Sequence, residues 1–282
     1  MTTIKESKTS QSPIITLNNH LPMPQIGLGV LKAKEDGEVE KAILSALDVG
    51  YRKIDTAAVY GNETGVGKAM HQSGIPREEV FLTSKVWNSD QGYDNTLHAF
   101  EKSLNRLQTD YLDLYLVHWP VKDKYIDTYK ALEKLYREGR VRSIGVSNFQ
   151  VHHLTKLLQH TQVIPAVNQI ELHPHLQQEE LIKFSKQINI QLEAWRPIMM
   201  GEVQHIPELI SIGQKYGKSP VQVTLRWLTQ IGISVIPKSV TPQRIASNFQ
   251  IFDFSLSNED IAIIQSLNQN RRLGPDPDNF NF

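Results

Sequence analysis

Short apolar runs alternate with amphipathic stretches eight times along this 282-residue chain, and that alternation constrains the fold more than any other feature. The runs are Gly27–Val30, Tyr51–Asp55, Val80–Lys85, Leu112–His118, Ser143–Ser147, Val167–Leu172, Gln191–Trp195 and Ser234–Lys238. Each is apolar enough to be buried on both faces, the pattern of parallel strands. Helical periodicity fills the intervals at Gly37–Asp48, Glu63–His71, Asp94–Leu107, Asp127–Glu138, Val151–Leu158, Gln178–Gln187, Ser219–Leu228 and Asn258–Leu267. Such a repeat builds either an open doubly wound sheet or a closed (β/α)8 barrel. The glycine fingerprint of the open dinucleotide-binding sheet is missing, because Gly27-Leu28-Gly29 lacks the third glycine and the helix start that a pyrophosphate needs. Gly61 to Gly67 follows no suitable strand and turn, and no Gly-Lys-Ser/Thr closes either string. Eight strands over about 250 residues therefore predict a TIM barrel, with its site at the C-terminal ends of the strands.

Before the barrel, Ile14–Leu17 and Met23–Gln25 flank the turn pair Asn18-Asn19 and read as an N-terminal β-hairpin. Residues 1–13 are polar, without a secretory leader's basic start and apolar stretch, and read as a flexible tail. Residues 14–282 read as one barrel unbroken by repeat, linker or low-complexity segment. The 30 Lys and Arg balance the 30 Asp and Glu, so no general field draws the chain to nucleic acid or an acidic membrane. No stretch approaches the roughly 18 apolar residues of a membrane span. With no cysteine, disulfides, thiolate nucleophiles and Cys-ligated metals are excluded, and redox chemistry requires a borrowed cofactor. A cytoplasmic monomer is the expectation.

In a barrel the polar residues closing each strand converge on one mouth. Asp55 ends the second strand, Tyr60 follows five positions on, Lys85 ends the third strand and His118 the fourth. Taken singly these have ordinary roles: an Asp caps or turns, a Lys is solvated, and a Tyr or His packs. Together they set an acid, a phenol, an amine and an imidazole where this fold places chemistry.

The chain also resembles the aldo-keto reductase superfamily over nearly its whole folded length. The resemblance is carried by Gly50-Tyr51-Arg52-Lys53-Ile54-Asp55-Thr56-Ala57, Leu112-Asp113-Leu114-Tyr115-Leu116-Val117-His118-Trp119-Pro120, Gly145-Val146-Ser147-Asn148-Phe149, Asn168-Gln169-Ile170-Glu171 and Ile236-Pro237-Lys238-Ser239-Val240-Thr241-Pro242. It looks most like bacterial members that reduce glyoxal, methylglyoxal or diketogluconate. The resemblance implies a catalytic tetrad of Asp55, Tyr60, Lys85 and His118, with NADPH or NADP as cofactor and no metal. Tyr60 would donate the proton. Lys85 would lower the phenol's pKa, Asp55 would hold Lys85 charged, and His118 would orient the carbonyl. Ser147, Asn148 and Gln169 would grip the nicotinamide carboxamide through both a donor and an acceptor, with Trp195 stacked on its ring. Lys238, Ser239, Arg244 and Asn248 would hold the adenosine 2′-phosphate beside a short helix.

Some positions depart from that pattern. Arg196 stands where a serine is common, Met199-Met200 where small residues are common, and Ser247 where a glutamate often contacts adenine. The segment Pro197 to Pro207 is too short for a long lid, which implies faster cofactor exchange. Val30, Trp87, Trp119 and the terminal segment Pro275–Phe282 are expected to wall the substrate pocket, so the partner is a small carbonyl compound. Two other classes remain open on these residues: a nicotinamide-sensing partner of a membrane protein, and a sugar-phosphate isomerase or metal-dependent barrel hydrolase.

Overall fold

The computed structural model describes residues 12–282. It opens with an antiparallel hairpin, β1 (Ile14–Thr16) paired to β2 (Pro22–Pro24). Eight parallel strands follow in spatial order: β3 (Leu28–Gly29), β4 (Lys53–Asp55), β5 (Phe81–Val86), β6 (Leu114–Val117), β7 (Ile144–Ser147), β8 (Val167–Glu171), β9 (Gln191–Trp195) and β10 (Ser234–Val235). Parallel bridges Ile26↔Val235 and Gly29↔Lys238 join the last strand to the first and close the barrel. Gly29 permits that seam, since a Cβ there would stand 2.8 Å from the Ile236 carbonyl oxygen. β10 is shorter than expected because Pro237 has no N–H to continue its ladder.

Helices α1 (Glu38–Val49), α2 (Glu63–Gln72), α3 (Tyr93–Leu107), α4 (Tyr125–Arg137), α5 (Val151–Leu158) and α6 (Glu179–Gln187) each follow their strand and bury one apolar stripe against it. After β9 come α7 (Pro207–Tyr216) and α8 (Pro220–Gln230), and after β10 come α9 (Pro242–Phe249) and α10 (Asn258–Ser266). α8 starts where its sequence says it must. Ser219 accepts from the Gln222 amide, Gln222 reaches back to the Ser219 N–H, and Pro220 occupies the first turn.

Two sequence expectations change here. The helix directly after the last strand is α9, with 258–266 as an additional element, and α7 was not anticipated. The expected tail falls mostly outside the described residues, yet its last two positions are tied down. Ser12 Oγ accepts from the Ile26 amide at 3.3 Å and the Pro13 carbonyl accepts from the Gln25 amide at 2.8 Å.

The hairpin is a plug. Leu17, Leu21 and Met23 pack on Phe81, Leu114, Leu116, Ala166 and Val167 and fill the barrel's N-terminal end. The opposite end, where the strands finish, is left as the open mouth. Among the described residues no helix is long and apolar enough to cross a membrane.

Candidate active site

The barrel brings Asp55, Tyr60, Lys85 and His118 to one place. Asp55 ends β4 and Lys85 lies near the end of the neighbouring β5, both buried, with Lys85 Nζ donating to Asp55 Oδ1 at 2.7 Å and to the Thr56 carbonyl at 2.8 Å. Tyr60 comes from the 3₁₀ turn Ala58–Tyr60, which carries the chain back over the mouth. Its hydroxyl lies 3.5 Å from Lys85 Nζ. His118 follows β6, its ring edge-on to Tyr60 with centroids 5.8 Å apart.

Burial sets the protonation of this group. Desolvation pushes the Tyr60 phenol above its ordinary value. The Lys85 ammonium pulls it down and Asp55 pushes it up, and burial wins. The lowering expected of Lys85 is present, but burial outweighs it. Burial works against the Lys85 ammonium, but Asp55 and Tyr60 together hold its pKa above the usual lysine range. Burial, aided by the Lys85 charge, pushes the His118 imidazole far down, so it is neutral. Its Nδ1 has no partner among the described residues.

Ser147, Asn148, Gln169 and Trp195 close the same mouth. Ser147 Oγ donates to the Gln169 carbonyl at 2.8 Å. Asn148 donates through Nδ2 to the His118 carbonyl at 3.0 Å and accepts through Oδ1 from the Trp195 indole N–H at 2.8 Å. Gln169 turns its amide nitrogen away from the mouth. Its Nε2 is engaged inward, 2.7 Å from Asp55 Oδ2 and 3.0 Å from Glu193 Oε1, which leaves only Oε1 to accept.

Lys238, Ser239, Arg244 and Asn248 lie apart from the four, between the end of β10 and α9. Lys238 and Arg244 are exposed, whereas Ser239 and Asn248 are buried. Ser239 Oγ accepts from the Thr241 amide at 3.2 Å and so shapes the start of α9. Arg196 sits at positive φ, bonds the Leu273 carbonyl at 2.6 Å and lies over the Trp195 ring. Ser247 is half-buried and its carbonyl accepts from Gln222 Nε2 at 3.1 Å. Pro197 to Pro207 is filled by a 3₁₀ stretch over Met199–His205, with Met199 buried and Met200 exposed.

The expected pocket walls gather around His118. Trp87 is edge-on to His118 at 5.0 Å between centroids and stacks on Phe282, while Trp119 touches Phe280 and Phe282. Asn88 Nδ2 anchors the Phe282 carbonyl at 2.9 Å. Val30, just past the end of β3, is buried, its amide donating to the Asp55 carbonyl at 3.1 Å. Phe280 and Phe282 were expected only as part of a terminal segment, and no periodicity singles them out.

Residues 25–269 match the family model described as Aldo/keto reductase family. The chain belongs to the aldo/keto reductase family. It is 54% identical over 274 residues to glyoxal reductase of Bacillus subtilis, covering 97% of this chain and 99% of that one. It is 49% identical over 271 residues to methylglyoxal reductase DkgA of Salmonella typhimurium, covering 95% and 98%. Among solved members of the family, an aldo/keto reductase of Brucella melitensis superposes with TM-score 0.89 at 50% identity, covering 91% of this chain and all of that one. The Bombyx mori aldo-keto reductase in complex with NADP gives TM-score 0.89 at 36% identity, covering 95% and 96%.

Proposed function

We propose that this chain reduces small aldehydes and α-dicarbonyls to alcohols with NADPH, and that Tyr60 donates the proton. The observation that carries this reading is Lys85, held between the Asp55 carboxylate at 2.7 Å and the Tyr60 hydroxyl at 3.5 Å. A phenol kept protonated by burial is a poor acid until charge develops on it, and an adjacent ammonium favours the phenolate as it forms. Asp55 keeps that ammonium in place. His118, being neutral, offers an uncharged ring that can hydrogen-bond a carbonyl oxygen and orient it toward Tyr60.

The residues present fit a nicotinamide dinucleotide phosphate. Ser147, Asn148 and the free Oε1 of Gln169 ring the half-buried Trp195, a platform for a nicotinamide ring. Two exposed cations, Lys238 and Arg244, flank the first turn of α9, a place suited to a phosphate, with Ser239 and Asn248 beside them. When bound, the reduced nicotinamide supplies the hydride. The Bombyx mori relative is solved with NADP, and relatives named for glyoxal and methylglyoxal reduction share half of this sequence.

The test is NADPH oxidation followed optically over methylglyoxal, an aromatic aldehyde, 2,5-diketogluconate and a ketosteroid, with and without chelator. Methylglyoxal in first place, unaffected by chelator, is expected. 2,5-Diketogluconate in first place keeps the mechanism but moves the role to sugar-acid reduction. Binding without turnover across the panel makes the chain a nicotinamide sensor instead.

A further inference from the structure

Beneath the four expected catalytic residues lies a second buried ion pair that their chemistry does not use. Lys53 on β4 meets Glu193 on β9 inside the barrel, and both side chains are fully buried. Ser234 on β10 donates to Glu193 Oε2 at 2.7 Å and accepts from Lys53 Nζ. Gly27 makes the room for this, since a Cβ there would stand 2.6 Å from Lys53 Cε. Branched apolar side chains fill such layers in ordinary barrels, and replacing a buried ion pair by apolar groups is often neutral or stabilising. Packing alone therefore gives no reason to keep charges here.

The pair connects upward through one side chain. Gln169 on β8 donates Nε2 both to Glu193 Oε1 at 3.0 Å and to Asp55 Oδ2 at 2.7 Å. An amide nitrogen has two hydrogens, and both are spent holding these carboxylates at a fixed separation. The chain of contacts runs Lys53, Glu193, Gln169, Asp55, Lys85, Tyr60, with Glu193 nearer the reaction groups than Lys53. Asp55 is faced by Lys85 from β5 and Glu193 from β9, and Tyr60 by Lys85, Asp55 and the neutral His118 beyond β6. Glu193 raises the proton affinity of Asp55.

We propose that the Lys53–Glu193 pair is a positioning element for the reaction, acting through Gln169 to fix the Asp55 carboxylate against Lys85 and presenting its negative end to the site that holds Tyr60. This rests on the reading of Tyr60 as the proton donor. Glu193→Gln preserves shape and one acceptor oxygen, able to take the Gln169 bond, but removes the negative end and the second acceptor. The double variant Lys53→Met with Glu193→Gln leaves no uncompensated charge and guards against a misfolded single variant.

Two measurements decide it. In both variants the alkaline limb of kcat/KM should move down by about half a unit or more, as loss of a nearby negative charge favours the phenolate. In protein without cofactor, tyrosinate difference absorbance between the Tyr60 form and its Tyr60→Phe counterpart should report the same downward shift. Placing Gln169→Leu under the double variant should shrink the shift by about half or more, since coupling requires the bridge. An unmoved limb and an unmoved Tyr60 titration, with only Tm altered, would make the pair a packing feature and overturn the proposal. A full shift in the Gln169→Leu background would overturn the route through Gln169. Should Tyr60→Phe retain turnover, the proton-donor reading falls, while the difference titration still judges the effect of the pair on Tyr60.

Discussion

Asn148 ties three strand ends together from a left-handed backbone: at φ 66° it donates to the His118 carbonyl at 3.0 Å and accepts from the Trp195 indole at 2.8 Å. Asn tolerates this conformation better than most residues, because its short polar side chain bonds locally. Asn148→Ala removes both bonds, together with a third from Nδ2 to Ser147 Oγ at 3.1 Å, and leaves a Cβ in a disfavoured region. At about 1 kcal/mol for each of the three lost bonds and roughly 1–2 kcal/mol for the backbone, a drop of about 4–5 kcal/mol is expected, read as a Tm lower by several degrees. Asn148→Gly keeps the backbone relaxed and should lose less. Equal losses in the two variants would locate the cost in the bonds alone.

Tyr60→Phe leaves the ring and its edge contact with His118 but removes the hydroxyl beside Lys85. Turnover should fall by about 10²–10⁴-fold, the scale of general acid catalysis. NADPH should still quench protein fluorescence with near-normal affinity, Trp195 being at the mouth. A kcat within a few-fold of the parent would remove Tyr60 from the proton-donor role.

Arg244→Met should weaken NADPH by roughly ten- to a hundredfold, the scale of one charge-assisted contact to phosphate, and leave NADH nearly unchanged. Fluorescence titration of both cofactors reads this directly. Parallel weakening of NADH would mean that Arg244 acts on the fold of α9 rather than on a phosphate.

Asp55, Lys85 and His118 were legible because each stands at or beside a strand end, where this fold gathers chemistry, and the register of β4, β5 and β6 does the rest. Tyr60 was legible from its place five residues past Asp55 and from the family string, although the 3₁₀ turn that returns it to the mouth leaves no periodic trace. α7 carried a readable signal in Pro207 at its first turn and Gly217 just past its end, but followed too soon after a segment read as loop. Lys53 and Glu193 were illegible. Lys53 was read only as part of the strand run Tyr51–Asp55, and nothing local shows that it turns into the barrel toward a carboxylate 140 residues away.

Below neutrality the fold should lose stability through His153. Burial, then the neighbouring His152, pushes its imidazole down to about 4 despite Asp278 nearby. The unfolded chain takes up that proton near pH 6.5 and the folded chain only near 4, so stability falls as pH drops through that window and levels off below it. His153→Gln keeps an acceptor for the Gln150 amide, which bonds His153 Nδ1 at 3.2 Å, and should flatten the decline of Tm. An identical decline would place the acid lability elsewhere.

Phe282 stacks on Trp87 and meets Trp119 edge-on, narrowing the space before His118. Phe282→Ala should raise kcat/KM for a bulky aromatic aldehyde several-fold while changing methylglyoxal little, since a small substrate makes little use of that wall. A selective loss for methylglyoxal would show that Phe282 grips the substrate rather than screening it.

The hairpin plug has a consequence for proton traffic. With Leu17, Leu21 and Met23 sealing the floor, water and hydronium reach Lys53, Glu193 and Asp55 from above, past Tyr60 and Trp195. Whatever covers the mouth also isolates those groups from bulk solvent. The interior then keeps the protonation it had when the mouth was covered, so a rapid pH jump applied to the covered protein would register in these carboxylates only at the rate of uncovering.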